Sequence, residues 1–205
     1  MSCGFTEADA SLSGMTTSAI PSFDTPRLQL LPLDGSEQQA IFHLYSHPDV
    51  SRLFGQDCMT EPAQARYWLD VQAQMRQLNL GVTWLLRHKA SGECIGTFSF
   101  DGINLQWHNV GISYALHPDF WHQGLMSEAM APLLAWAWTG GLGVKMHRVQ
   151  ALVFPQNAAS VATLSRAGFV REGQRLGLVF WQGQYWDLDS YCLLSPLAAA
   201  PTDTP

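Results

Sequence analysis

From Asn109 to Trp138 the chain reads NVGISYALHPDFWHQGLMSEAMAPLLAWAW. This is a strand-forming run, a short loop and a long apolar helical run, closed by Thr139-Gly140-Gly141. No other feature constrains the fold as strongly. A helix apolar over most of its surface must be covered, and the strand that feeds it predicts a sheet to cover it. The helix is not a membrane span. The most apolar stretch, 129–144, is short and is broken by Pro132, Gly140, Gly141 and Gly143. Pro132 is expected to kink the helix or remove one hydrogen bond.

The rest of the chain supplies further strands and helices. Arg27–Leu33 is apolar and partly alternating, a first strand. Ser36 is placed to cap a helix reaching about His47, and Pro48 stops it. Asp49–Gly55 reads as a loop or short turn. Thr60-Glu61-Pro62 reads as a helix start, with Thr60 as cap and a run to about Leu78. Val82–Arg87 and Glu93–Phe100 form a hairpin through Ser91-Gly92. After the central strand and helix come a strand over His147–Phe154 and a short helix over Asn157–Arg166, which Gly168 stops. Two last strands, Phe169–Phe180 and Gln184–Leu194, turn at Gln182-Gly183. The order β-α-α-β-β-β-α-β-α-β-β predicts a mixed sheet with helices on its faces, an α/β (α+β) domain.

Composition sets outer limits. A chain of 205 residues, 47% apolar and 14% charged, has a substantial core and is not wholly disordered. A net charge of −6 makes it a poor ligand for nucleic acid. Cys3, Cys58, Cys94 and Cys192 are scattered without a CxxC pair, so no zinc site or disulfide framework is expected. The start of the chain lacks a signal-peptide pattern. The expectation is a cytoplasmic protein with reduced thiols. Residues 1–24 and 196–205 read as flexible tails around one domain over 25–195.

Two segments carry chemistry. In 109–129 a strand ends, a loop follows and a helix begins near Gly124. A helix N-terminus offers unpaired N–H groups and a positive dipole end, which suits phosphate. Gly124 allows close approach of the backbone, and Ser127 adds a hydroxyl. In 153–169, VFPQNAASVATLSRAGF, Asn157 is a helix cap, and Ser160 lies beside the apolar stripe of Val161 and Leu164. Taken singly, each has an ordinary structural explanation: a strand-to-helix turn, a cap and a surface serine.

Together, YALHPDFWHQGLMSEA and NAASVATLSRAGF resemble the GNAT superfamily of acyl-CoA-dependent N-acetyltransferases. The likeness is strongest to the branch that acetylates ribosomal-protein N-termini at alanine or serine. The family's coenzyme loop, Q/R-x-x-G-x-G/A, corresponds to Trp121-His122-Gln123-Gly124-Leu125-Met126, followed by Ser127-Glu128-Ala129. Its second signature, Asn-x-x-Ser before a helix ending in Gly-Phe, corresponds to Asn157, Ser160, Gly168 and Phe169. The resemblance covers about 27–195. It implies a mixed, mostly antiparallel seven-stranded sheet with splayed central strands. It also implies acetyl-CoA as co-substrate, and no metal. The pyrophosphate would lie on the 121–127 loop, and the pantetheine arm on Tyr114, Ala115 and Leu116 with Asn157. Ser160 would face the leaving thiolate. Trp121 and Met126 depart from the loop pattern, and Asn109-Val110-Gly111 offers no counterpart to the family's frequent strand glutamate.

Acetyl transfer to an amine also needs a base and an oxyanion donor. Main-chain N–H groups near Ala115–Leu116 would serve the oxyanion. Glu172, Asp187, Asp101, His108 and His117 are the base candidates. Trp84, Trp136, Trp138 and Trp186 are expected in the core, whereas Trp107 and Trp121 fall in loops where they would line an acceptor cleft. Arg52 and Arg66 read as solvated surface. The preferred acceptor is a protein N-terminus. A polyamine or aminoglycoside acetyltransferase and a non-catalytic acyl-CoA sensor remain open. So do a monomer and a homodimer, since an exposed final hairpin can pair with a second chain.

Overall fold

The computed structural model describes residues 20–196. The chain forms β1 (Phe23–Asp24), β2 (Leu28–Pro32), α1 (Gln38–Tyr45), α2 (Pro48–Phe54), α3 (Pro62–Gln77), β3 (Gly81–His88), β4 (Cys94–Asn104) and β5 (Asn109–Leu116). A 3-10 turn over Pro118–Phe120 leads to α4 (Leu125–Trp138), β6 (Arg148–Val153), α5 (Ala158–Arg166), β7 (Val170–Trp181) and β8 (Gln184–Leu194). One sheet runs in the order β1-β2-β3-β4-β5-β6-β8-β7. All pairings are antiparallel except β5 with β6.

Strand alternation builds two cores. Val82, Trp84 and Leu86 of β3 face a large core with Phe98, Phe100, Val110 and Ile112. The apolar face of α4, from Leu125 to Trp138, and Leu164 of α5 close it. On the other face Leu85 and Ala115 meet Ile41, Leu44, Ala65 and Leu69 of α1 and α3. Helices therefore cover both faces, as predicted. Pro132 lies inside α4, which continues through it.

The sheet has eight strands where the family resemblance implies seven. The extra strand is the two-residue β1, in a segment that reads as tail because it carries no periodic pattern. Phe23 sits 6.1 Å from the Trp84 ring and 6.3 Å from Trp136. The Trp84 indole donates to the Pro21 carbonyl at 2.8 Å. Burial of that aromatic cluster holds residues 20–24 on the sheet. Residues 1–19 and 197–205, including Cys3, lie outside the described residues.

The second difference is α2, at Asp49–Gly55. Pro48 does not merely stop α1. It occupies the first turn of a new helix, capped by His47 Nδ1, which accepts from Asp49 N at 3.2 Å. Gly55 ends this helix at φ 69°. A β-carbon there would lie 2.6 Å from the Phe154 ring, so glycine permits both the turn and the close approach to the end of β6. Two caps also shift by one residue. Glu37 replaces Ser36 at α1, and Glu61 replaces Thr60 at α3, where Gln64 completes a capping box.

β5 and β6 pair only over Asn109–Ile112 and Arg148–Ala151. Beyond that point they part. Ser113–Leu116 remain on β4, while Leu152 and Val153 remain on β8. The splayed central strands are therefore present.

Candidate active site

The parting of β5 and β6 opens a cavity of about 360 Å³. Tyr114, Ala115 and Leu116 form the β5 wall. Asn157 and Ser160, at the start of α5, form the opposite wall. Val50, Leu53 and Phe54 of α2 close a third side. The last boundary is the turn from Phe120 into α4, with Trp121, His122, Gly124, Leu125, Met126 and Ser127. The structure thus brings eleven of the twelve expected site residues around one cavity. Gln123 is the exception. Its side chain donates to the Asp119 carbonyl at 3.0 Å, and its own carbonyl accepts from Arg27 Nη1 at 2.9 Å.

The turn is shaped by left-handed backbone at His122, φ 59°, and at Gly124, φ 73°. No side chain caps α4. Gly124, Leu125, Met126 and Ser127 line the cavity, so the unpaired first-turn N–H groups of α4 make a fitting cradle for a phosphate. Trp121 departs from the loop pattern, yet its indole donates to the Leu116 carbonyl at 2.6 Å. That bond ties the loop to the end of β5.

At the other end of the cavity, Ser160 Oγ lies 2.7 Å from Tyr114 Oη. Asn157 Oδ1 accepts from Ser160 N at 3.1 Å, so Asn157 is both helix cap and cavity wall. Burial pushes the Tyr114 phenol up to about 12, against the lowering influence of the Ser160 hydrogen bond.

None of the five base candidates lines the cavity. Glu172 is committed to Arg148, which holds its carboxyl below the usual range. Asp187 accepts from Gly177 N at 2.7 Å in the final hairpin. His108 is exposed in the turn before β5. His117 packs against His43 and His47, with ring centroids 5.1 and 5.3 Å away. Asp101 is the fifth. Burial pushes its carboxyl up, and Ser113 donates to it at 2.5 Å. Ser113 is the first residue of β5 beyond its pairing with β6.

Trp84 and Trp138 are buried, and Trp136 and Trp186 pack in part against the core or Phe154. Trp121 reaches the cavity, but Trp107 is 71% exposed and does not. Arg52 and Arg66 pair with Asp49 and Asp70 at the surface.

A latch behind the loop escapes sequence reasoning. Glu128, in the first turn of α4, accepts from Thr25 Oγ1 at 2.6 Å, from Arg27 N at 2.8 Å and from Arg27 Nε at 2.7 Å. Burial pushes the Glu128 carboxyl up, but these bonds outweigh it and hold it below the usual range. The α2 wall escapes it too, because Asp49–Gly55 has the letters of a loop. Among the described residues no cluster of three or more His, Cys, Asp or Glu side chains is arranged to hold a metal ion. No helix there is long and apolar enough to cross a membrane.

The family described as acetyltransferase (GNAT) domain matches residues 27–170. The chain belongs to the GNAT acetyltransferase family. As a GNAT protein it is an acyltransferase of the N-acetyltransferase type. It is 28% identical over 176 residues to uncharacterized N-acetyltransferase YoaA of Bacillus subtilis (strain 168), covering 86% of this chain and 98% of that one. Its fold matches the ribosomal-protein-S5-alanine acetyltransferase from Vibrio fischeri, with TM-score 0.75 and 20% identity, over 86% of this chain and 97% of that one. It also matches the spermidine N-acetyltransferase from Vibrio cholerae, solved with CoA and spermine. There the TM-score is 0.70 and the identity 18%, over 82% of this chain and 96% of that one.

Proposed function

We propose that this GNAT protein moves the acetyl group of acetyl-CoA to the N-terminal amine of a protein, alanine or serine at the first position. The observation that carries the reading is the cavity itself. It joins an uncapped helix start at Gly124 to the Tyr114–Ser160 hydroxyls through a gap between two strands. A long thioester with an anionic end fits such a slot. The loop holds the phosphates, Tyr114–Leu116 and Asn157 hold the arm, and Ser160 faces the sulfur.

The acceptor class rests on the chemistry of the α2 wall, the side of the cavity that the coenzyme assignment leaves to the acceptor. No residue lining the cavity carries a carboxylate, and the α2 wall of Val50, Leu53 and Phe54 is apolar. A polyamine or aminoglycoside brings several cations, which need carboxylate partners. A protein N-terminus brings one amine on a neutral chain. The likeness to a ribosomal-protein alanine acetyltransferase points the same way. This reading puts the enzyme in the cytoplasm, where new protein N-termini emerge.

An α-amino group titrates near pH 8, so part of it is already neutral at pH 7. Asp101 is the best-placed acceptor for the remaining proton, by way of solvent. Its raised carboxyl pKa lies nearer the working pH, and Ser113 links it to the strand that bounds the cavity.

The test is thiol release from acetyl-CoA with alanine- and serine-terminated peptides, their N-acetylated controls, spermidine and an aminoglycoside. Release with the free peptides alone is expected. Release with spermidine alone would replace the acceptor class. Coenzyme binding without release from any amine would make the protein a sensor. Ser160→Ala should lower kcat by roughly 10- to 1000-fold with acetyl-CoA saturating. An unchanged kcat would remove Ser160 from the chemistry.

A further inference from the structure

Two hydroxyls from distant parts of the chain meet inside the cavity. Tyr114 comes from β5 and Ser160 from the first turn of α5, 46 residues later. Both are fixed from behind. The Tyr114 ring stacks on Phe98 at 6.2 Å and 9°. The Ser160 main chain is held by Asn157. A 2.7 Å hydrogen bond joins them, in which either oxygen can donate, and the phenol also lies 3.5 Å from the Ser160 carbonyl.

We infer that Tyr114 is a positioning residue for the leaving sulfur: its phenol donates to Ser160 Oγ and so turns the Ser160 hydroxyl outward as a donor. This rests on the acetyl-transfer reading above. In that reaction the neutral amine attacks the thioester carbonyl and a C–N bond forms. The C–S bond then breaks, and its electron pair goes to sulfur. The surplus proton of the amine leaves on the acceptor side. The sulfur departs as a thiolate and takes a proton from solvent on release.

Magnitude separates hydrogen bonding from full proton transfer. A free thiol titrates near 8.5, whereas the buried phenol is pushed up to about 12. Passing its proton along the chain would run uphill by more than roughly a thousandfold. Tyr114 therefore keeps its proton. A phenol is still a better donor than a serine hydroxyl, and hydrogen bonds in series strengthen one another. Tyr114 Oη–H to Ser160 Oγ, then Ser160 Oγ–H to sulfur, places the stronger acid behind the weaker.

The experiment uses coenzyme A itself, bound to the whole chain, and follows thiolate absorbance against pH. Wild type, Tyr114→Phe, Ser160→Ala and the double variant are compared. Phenylalanine keeps the ring that stacks on Phe98. At one pH below the thiol midpoint, Tyr114→Phe should lower the thiolate population about five- to tenfold, the worth of one hydrogen bond. Ser160→Ala should lower it at least as much, and the double variant should match Ser160→Ala. With an accepted peptide and saturating acetyl-CoA, Tyr114→Phe should lower kcat by a similar factor. A wild-type titration in Tyr114→Phe overturns the inference. So does a loss that persists in full without Ser160. Failure of coenzyme A to bind the wild-type chain overturns the acetyl-transfer reading and this inference with it.

Discussion

Gly124 holds φ at 73°, where a β-carbon costs about 1–2 kcal/mol. Space is not the limit, since an added β-carbon would meet nothing nearer than Arg27 Nη2 at 3.9 Å. Gly124→Ala should therefore lower unfolding free energy by about 1 kcal/mol, measured in denaturant. Initial rates should show a raised KM for acetyl-CoA and a retained kcat, because the backbone that would approach the phosphates on the proposed reading is reshaped. An unchanged KM would mean that the loop does not hold the coenzyme. Gly124, Asn157 and Ser160 are legible in the sequence because each sits in a short local pattern. The Tyr114–Ser160 bond is not, because nothing local to either residue marks the other. The fate of the base candidates is equally hidden. Glu172 looks free in a string of letters and is bound to Arg148 in space.

Among the elements, α2 shows why a short helix escapes notice. It has seven residues, and its first is the proline that also ends α1. Its entry is capped by His47 Nδ1, which accepts from Asp49 N. His117 Nδ1 faces Asp119 N in the same way at the 3-10 turn, at 3.4 Å. His43, His47, Asp119 and Glu93 are the titratable groups around His117. Burial lowers the His117 pKa, the two histidines lower it further, and Asp119 and Glu93 oppose them. The unfolded chain, with an ordinary histidine near 6.5, then binds the proton first as pH falls. The stabilisation from His117 is full above about pH 6.5 and is lost as pH drops through the lowered folded value. Urea unfolding from pH 7.5 down to 5.5 should show a steeper loss in wild type than in His117→Gln. Equal slopes would place the acid sensitivity elsewhere. The longer elements are legible because period and punctuation agree in them. At α4 an apolar run ends in Thr139-Gly140-Gly141, and at β3–β4 a turn falls between two β-rich runs.

Across the whole molecule, contacts distant in sequence set the site. Glu128 joins the helix that starts the site to Thr25 and Arg27, about a hundred residues earlier in the chain. Arg27 is half exposed, so the ion pair alone is weak, but Glu128 also collects a hydroxyl and a main-chain N–H. Glu128→Ala should cost about 1–2 kcal/mol of stability. It should also raise the KM for acetyl-CoA, because Arg27 braces the Gln123 carbonyl. Lost stability with an unchanged KM would make the latch purely structural. No pattern in the sequence announces this latch. The parting of β5 and β6 is foreseen only through family resemblance, since both strands look continuous. Mechanically, the sheet is two plates, β1–β5 and β6–β8–β7, welded along four residue pairs. The slot beyond the weld breaks no strand pairing when it empties. On the proposed reading, a spent coenzyme would leave while both plates stay intact, and turnover would not require undoing the fold.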